Sequence, residues 1–332
     1  MGNPHAEPVR ILCNIKDFPK EWVSASGTRG TTRVLSTPGQ FFSDAPGCDA
    51  ILINCDPGLT YKLAELFSLF PPRRKPIIAL DLVLRRPISR ASRLTRPLKK
   101  ALLKNVNLFI HYFRQLDGYQ KYFGIGEARS AYVPFKSDIR GAFSYTPDPE
   151  GEYVLCFGRS ERDYDTFFRA MSTLPYPGAI PAPNLGLLAQ HSSRFTIPLS
   201  QLPSNIRVLE NDESIQRAIE IISKARVVAL PIVSGRISAS GIGTYLTAML
   251  LGKCVIISEG PGSSDVLTNE ALFIPPEDPE ALSRAIRTAW EDRPLRERIA
   301  AAGRYYAESC GTSKDLYQRV VDVIAERVRT FR

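Results

Sequence analysis

The chain has 332 residues, room for about two domains at ~150 residues each. Apolar residues are 44% and charged residues 23%, an ordinary globular balance that excludes collagen-like, low-complexity and wholly disordered chains. The formal charge is +9, and no apolar run exceeds eight residues against the ~20 that a spanning helix needs, so no membrane span is expected.

In chain order, residues 9–15, 33–35, 50–55, 76–82, 106–111 and 131–135 are Val-, Ile-, Leu- and Phe-rich runs bounded by Gly, Pro, Asp and Asn, and read as strands. Residues 59–70, 96–104 and 115–123 read as helices between them. Residues 137–152 (SDIRGAFSYTPDPEGE) form the best linker candidate. Beyond it, strands are expected at 153–157, 206–209, 227–232, 255–258 and 272–274, and helices at 165–173, 214–224, 243–251, 278–290, 294–309 and 314–328. Residues 176–204 carry many prolines and give no clear pattern. Near-continuous apolar strands alternating with helices indicate parallel sheets covered on both faces. The expected architecture is α/β, two doubly wound Rossmann-like domains facing a cleft, with ligands at the C-terminal strand ends.

The charge is concentrated. Eleven Lys and Arg residues lie between Arg73 and Lys104, opposed only by Asp81, so this segment carries +10 and the remainder −1. Such a patch attracts polyanions, either nucleic acid or an anionic membrane surface. In residues 97–104 the apolar Leu98, Ala101 and Leu102 share a helical face flanked by Lys99, Lys100 and Lys104. That pattern suits a helix lying on the core with a basic outer face, one touching lipid headgroups, or a solvated face with no partner.

Six cysteines without a CxxC pair read as reduced thiols of a cytoplasmic protein, as does the lack of an apolar h-region in residues 1–10. His5, His111 and His191 are isolated, so no zinc site is expected.

Three loops carry candidate chemistry. In LPIVSGRISASGIGTYLTAMLLGKCVII (230–257) a strand runs into a small-residue loop with Ser240, Gly241, Ile242, Gly243 and Thr244 at a helix start. Free N–H groups and a partial positive charge make that start an anion site, or else it is a flexible loop before a core helix. Phe157-Gly158-Arg159-Ser160-Glu161-Arg162 ends a strand; its two arginines can grip a diphosphate or lie solvated on the surface. In Glu259-Gly260-Pro261-Gly262-Ser263-Ser264-Asp265 the carboxylate can bind sugar hydroxyls or favour a first helical turn.

The order of these loops, together with LFIPPEDPEALSRAI (272–286) and DRPLRERIAAAGRYYAES (292–309), resembles the C-terminal half of a GT-B-fold glycosyltransferase of the group 1, family-4-like class. The likeness covers about residues 152–310 and is weaker earlier, in KYFGI (121–125) and YVPF (132–135). It implies domains at 1–140 (acceptor side) and 141–312 (nucleotide-sugar side), with 313–332 a C-terminal helix that can pack back on the first domain. It implies sugar transfer from a nucleotide-diphosphate sugar to a glycan, lipid-linked or other acceptor, with retention, no metal and no cofactor beyond the donor. Arg159 and Arg162 would be the catalytic pair, stabilising the leaving diphosphate. Gly158, Ser240, Gly241, Ile242, Gly243, Thr244, Thr247 and Asp265 would line the donor site.

The chain departs from the family in one respect. Thr247-Ala248-Met249 stands where Glu-Ala-Met is usual, and Ala239 stands eight positions earlier in place of a second glutamate. Both carboxylates are missing, which leaves a non-catalytic relative that binds a nucleotide or partner as the alternative. Asp163-Tyr164-Asp165, the only D-x-D, opens a helix and reads as structural. On the acceptor side Asp17, Trp22 and His111 are the candidates: Trp22 either stacks on a sugar or packs its loop, and His111 is either a strand-end histidine or a cleft group. The basic segment, residues 73–104, would dock the enzyme on the inner membrane face. A nucleic-acid partner is not expected, for no recognisable module accompanies the charge.

Overall fold

The structure, a computed structural model, describes residues 7–137 and 150–328. The chain forms two compact units, residues 1–134 with 314–332, and residues 135–313. Most of the linker candidate, residues 138–149, lies outside the described residues.

The first unit is built on a seven-stranded sheet of order β2-β3-β1-β4-β5-β6-β7. The strands are β1 (Val9–Cys13), β2 (Glu21–Val23), β3 (Arg29–Val34), β4 (Ala50–Asn54), β5 (Ile77–Leu80), β6 (Val106–His111) and β7 (Ser130–Tyr132). All pairs are parallel except β2 on β3. Ile51, Leu52, Ile77, Ile78, Phe109 and Ile110 are buried, as expected for strands covered on both faces. β2 and the first part of β3 escape the sequence reading, which expected a strand only at 33–35, because these segments are short and polar. Helices α1 (Pro38–Asp44), α2 (Pro57–Leu69), α3 (Arg90–Leu103) and α4 (Asp117–Phe123) connect the strands. The last helix of the chain, α11 (Ser313–Val328), belongs here. Its Tyr317 ring lies 5.0 Å from that of Phe18, and its Asp322 carboxylate accepts from the Ala25 N–H at 2.7 Å.

The second unit holds six parallel strands in the order β10-β9-β8-β11-β12-β13. These are β8 (Tyr153–Cys156), β9 (Gly178–Pro181), β10 (Ile206–Leu209), β11 (Ala225–Leu230), β12 (Cys254–Ser258) and β13 (Leu272–Ile274). The helices are α5 (Tyr164–Met171), α6 (Leu185–Gln190), α7 (Ile215–Ser223), α8 (Ile242–Leu250), α9 (Pro279–Glu291) and α10 (Arg293–Cys310). β11 alternates its side chains between two cores: Val228 and Leu230 pack with Tyr245 and Met249 on one face, Val227 and Ala229 with Phe167 and Ile286 on the other. β9 and α6 fill the proline-rich stretch that gave no pattern. The order reverses direction between β8 and β11, and at that point the loops leaving the two strands diverge to open a crevice.

Candidate active site

The loop after β8 is woven into that crevice. Asp163 donates its N–H to Pro231 O, and Val233 donates to Glu161 O, so residues 161–163 clip onto the end of β11. Ser193 Oγ donates to Arg159 O at 2.6 Å and accepts from Arg162 N at 2.9 Å. These ties turn the Arg162 side chain inward. Its Nε donates to Phe157 O at 2.8 Å, while its buried Nη1 has no hydrogen-bond partner. A Cβ on Gly158 would stand 2.5 Å from Arg162 Nη2, and one on Gly241 3.3 Å from it. Both glycines have left-handed φ (+109° and +83°), so the guanidinium lies between two positions where a side chain would be strained and would collide with it. Burial pulls the pKa of Arg162 below the ordinary arginine value.

α8 starts beside it. Eight other helices of the described residues begin on a Thr, Asp, Ser or Asn whose side chain caps an N–H, as Asp163 does for α5 and Asp278 for α9. α8 instead begins on Gly241 with no side-chain cap, so its first-turn N–H groups and partial positive charge remain for a ligand. Gly241, Gly243 and Thr244 line a cavity of about 410 Å³ with Gly158, Arg159 and Arg162. Every lining residue belongs to the second unit. The cavity extends from this cationic end to residues 181–184 after β9 and 211–215 after β10. Glu213 is the only acid among the lining residues. It holds left-handed φ of +62°, with its N–H donated to Asn211 Oδ1 at 3.2 Å.

The structure thus brings Gly158, Arg159, Arg162, Gly241, Gly243 and Thr244 together around one cavity. Other candidates take supporting positions. Ser240 Oγ donates to Ser160 O at 2.7 Å and ties the two loops together. Ile242 packs on the core. The Thr247 hydroxyl donates to Gly243 O within α8. Asp265 accepts the Gly262 N–H at 2.7 Å and shapes its own turn. The acids of the D-x-D are structural: Asp163 caps α5 through Thr166 N and meets Arg194 at 3.2 Å, and Asp165 accepts from Thr196 N and Oγ1.

Of the first-unit candidates, Asp17 is exposed. Trp22 is buried, donates to Thr32 Oγ1 at 3.0 Å and lies flat against Gly30, where a Cβ would come within 2.0 Å of the indole. It packs the hairpin and presents no face to a sugar. His111 is sealed among Phe109, Phe113 and Tyr119. Burial pushes its pKa down to about 4, so it is a neutral core imidazole.

The sequence reading passed over Arg236, which sits in the loop before α8. Its Nη2 donates to Ser258 O, Glu259 O and Ser263 Oγ at 3.2–3.3 Å, while Nε and Nη1 are buried without partners. Burial pushes its pKa down to about 10 despite the nearby Glu161 and Asp265, and the charge of Arg162 adds to that effect. A lone arginine among small residues at a strand end was the available signal. Two buried guanidiniums, near the carboxylates of Glu161 and Asp265, keep unused donors that a bound anion can take up.

Residues 200–305 match the family described as glycosyl transferases group 1. The fold is that of the GT-B glycosyltransferases, and the family match lies within its second unit. The structure is similar to that of HepE from Anabaena in complex with UDP and glucose, at 15% identity and TM-score 0.65, covering 89% of this chain and 86% of that one. It is also similar to sucrose-phosphate synthase from Thermosynechococcus elongatus (14%, TM-score 0.62, 97% and 89%). A third likeness is to an α,α-trehalose-phosphate synthase (UDP-forming) from Burkholderia xenovorans (12%, TM-score 0.59, 88% and 76%). No curated protein matches the chain.

Proposed function

We propose that the protein is a glycosyltransferase that takes its sugar from a nucleotide-diphosphate sugar held in the cavity at the β8/β11 crossover. The observation that carries this reading is Arg162, a buried guanidinium with a free Nη1, between Gly158 and Gly241 and beside an uncapped helix start. The diphosphate lies against Arg159, Arg162 and the first turn of α8. The nucleoside runs toward residues 181–184 and 211–215, where Glu213 accepts from its hydroxyl or N–H groups. When the bond from the sugar C1 to the phosphate oxygen breaks, its electron pair leaves with the diphosphate. The two arginines and the helix dipole stabilise that growing negative charge. In this reading the stabilising charge comes from the protein's own cations and helix dipole, without a metal. The acceptor, a glycan or a lipid-linked molecule, forms the new bond to C1 through a hydroxyl oxygen whose proton passes to the departing phosphate oxygen, and transfer proceeds with retention. The protein works in the cytoplasm, in keeping with its six free cysteines, five of them buried.

The test is release of nucleoside diphosphate from a panel of nucleotide sugars with EDTA present, for wild type and for Arg159→Ala, which alters an exposed side chain. One donor should turn over in wild type, at least tenfold slower in the variant, and the product's anomeric configuration reads retention directly. Binding without turnover would select the second reading, a nucleotide-binding relative that does no chemistry. That reading is favoured by one observation: α8 carries no carboxylate, and the Thr247 hydroxyl is engaged within the helix.

A further inference from the structure

α3 differs from the other long helices. The sequence pattern allowed its apolar residues to lie on the core, and the structure turns most of them outward. The helix begins at Arg90, a turn and a half earlier than the sequence pattern placed it, with Pro97 inside it. Among its fourteen residues only Leu103 is buried. Leu94 is 80% exposed and Leu98, one turn on, 64% exposed, with Ile88 just ahead of the helix at 71%. At 100° per residue Ala91, Leu94, Leu98 and Ala101 form one stripe on the outward side. Beside it run Arg90, Arg93, Lys100 and Lys104.

From Arg85 to Lys104 there are eight cations and no acid. No ion pair is formed by any of them among the described residues, and only Lys99 meets a neighbouring ring, Tyr61, at 5.9 Å. Uncompensated like charges along one helix repel each other, and exposed leucines beside them gain nothing from water. Both costs are removed together by a surface that is anionic at its boundary and apolar just beneath.

We propose that α3 is a docking ridge for an anionic phospholipid bilayer. Leu94 and Leu98, with Ile88, enter the acyl boundary while Arg90, Arg93, Lys100 and Lys104 meet the headgroup phosphates. Most residues of the helix are exposed, so this face is open to a deformable interface. Charge complementarity excludes a second copy of this chain through the same patch, since it would bring the same positive charge. Nucleic acid fits less well: residues 85–104 contain no aromatic side chain on which a base could stack. This inference stands on the first unit alone and does not depend on the donor reading.

The experiment is vesicle co-sedimentation of the full chain with phosphatidylcholine, with and without one-third phosphatidylglycerol. Wild type should partition onto the anionic vesicles at least tenfold more than onto the neutral ones, and raised salt should weaken it. Arg90→Gln/Arg93→Gln/Lys100→Gln should lower that partition by about 100-fold, about fivefold for each charge. Leu94→Ser/Leu98→Ser should lower it at least tenfold at unchanged charge, with an unchanged melting temperature because both residues are exposed. Leu94→Trp should show a blue-shifted emission on anionic vesicles only. Equal partition onto neutral vesicles, an unaffected double-leucine variant, or single-stranded RNA binding as tight as vesicle binding would overturn the proposal.

Discussion

Each unit has a crossover point in its sheet, and the two are used in opposite ways. In the first unit the sheet reverses between β1 and β4, and there Asn14 seals the gap. Its amide donates to Asn54 O at 3.1 Å and accepts from Asn54 N at 2.8 Å, completing the backbone pairing that the diverging strands give up. In the second unit the reversal lies between β8 and β11, and the crevice is held open. Glycines 158 and 241 keep it clear, and Arg162 enters it with a donor left free. One topology therefore gives one closed seam and one site. Topology supplies the place, and the side chains at the strand ends decide whether it is filled from within or left for a ligand.

The largest test of this contrast is Arg162→Met. Removing the buried charge should weaken nucleoside-diphosphate binding at least 100-fold, about 3 kcal/mol. It should leave the unliganded melting temperature no lower than wild type, because an uncompensated buried cation costs stability. A large loss of stability in the unliganded variant would mean that Arg162 is structural, like Asn14.

The first unit's sealed polar groups should reveal themselves through pH. Burial pushes His111 down to about 4 and Asp81 up to about 6. Between about pH 6.5 and 4 the unfolded chain binds a proton at His111 that the folded chain refuses, so this group lowers stability on acidification. Asp81 acts in the other direction. Between about pH 4 and 6 the folded chain keeps a proton that the unfolded chain has lost, so stability falls as pH rises. His111→Phe should therefore melt at lower temperature at pH 6 than at pH 4, and Asp81→Asn the reverse. Each slope is worth up to about 3 kcal/mol. Two variants with the same slope as wild type would show that neither group is sealed.

Asn14→Ala should cost about 2 kcal/mol of stability, seen in a denaturant titration, and leave nucleotide affinity unchanged. Glu213→Gln should have the smallest effect, a several-fold loss of nucleotide affinity with no change in melting temperature, measured by calorimetry.

The sequence showed the alternating apolar runs and the three small-residue loops because burial on both faces and close backbone approach restrict residue type strongly. It did not show β9 and α6, where Pro177, Pro181 and Pro183 mask an inner strand. That strand ends on proline, at the point where its next N–H, from Ala182, is given to Leu209 O. The end of the cavity built from residues 181–184 went unread with them. The helix expected over 96–104 begins at Arg90 instead, so Pro97 lies inside α3, where the carbonyl it leaves unpaired, that of Arg93, belongs to an exposed residue. Arg162 was legible as a charge in a loop. That its Nη1 ends buried and unpartnered follows from ties through Phe157, Ser193 and Pro231, which are distant in sequence and leave no local trace.

The most direct measurement is the melting temperature of wild type and Arg159→Ala against UDP, GDP, ADP, CDP and dTDP without added metal. The account predicts that one nucleoside diphosphate, at ~100 times its dissociation constant, stabilises wild type by ~2.7 kcal/mol, a rise of a few degrees that is lost in the variant. No shift with any of the five, or the same shift in both proteins, would contradict it.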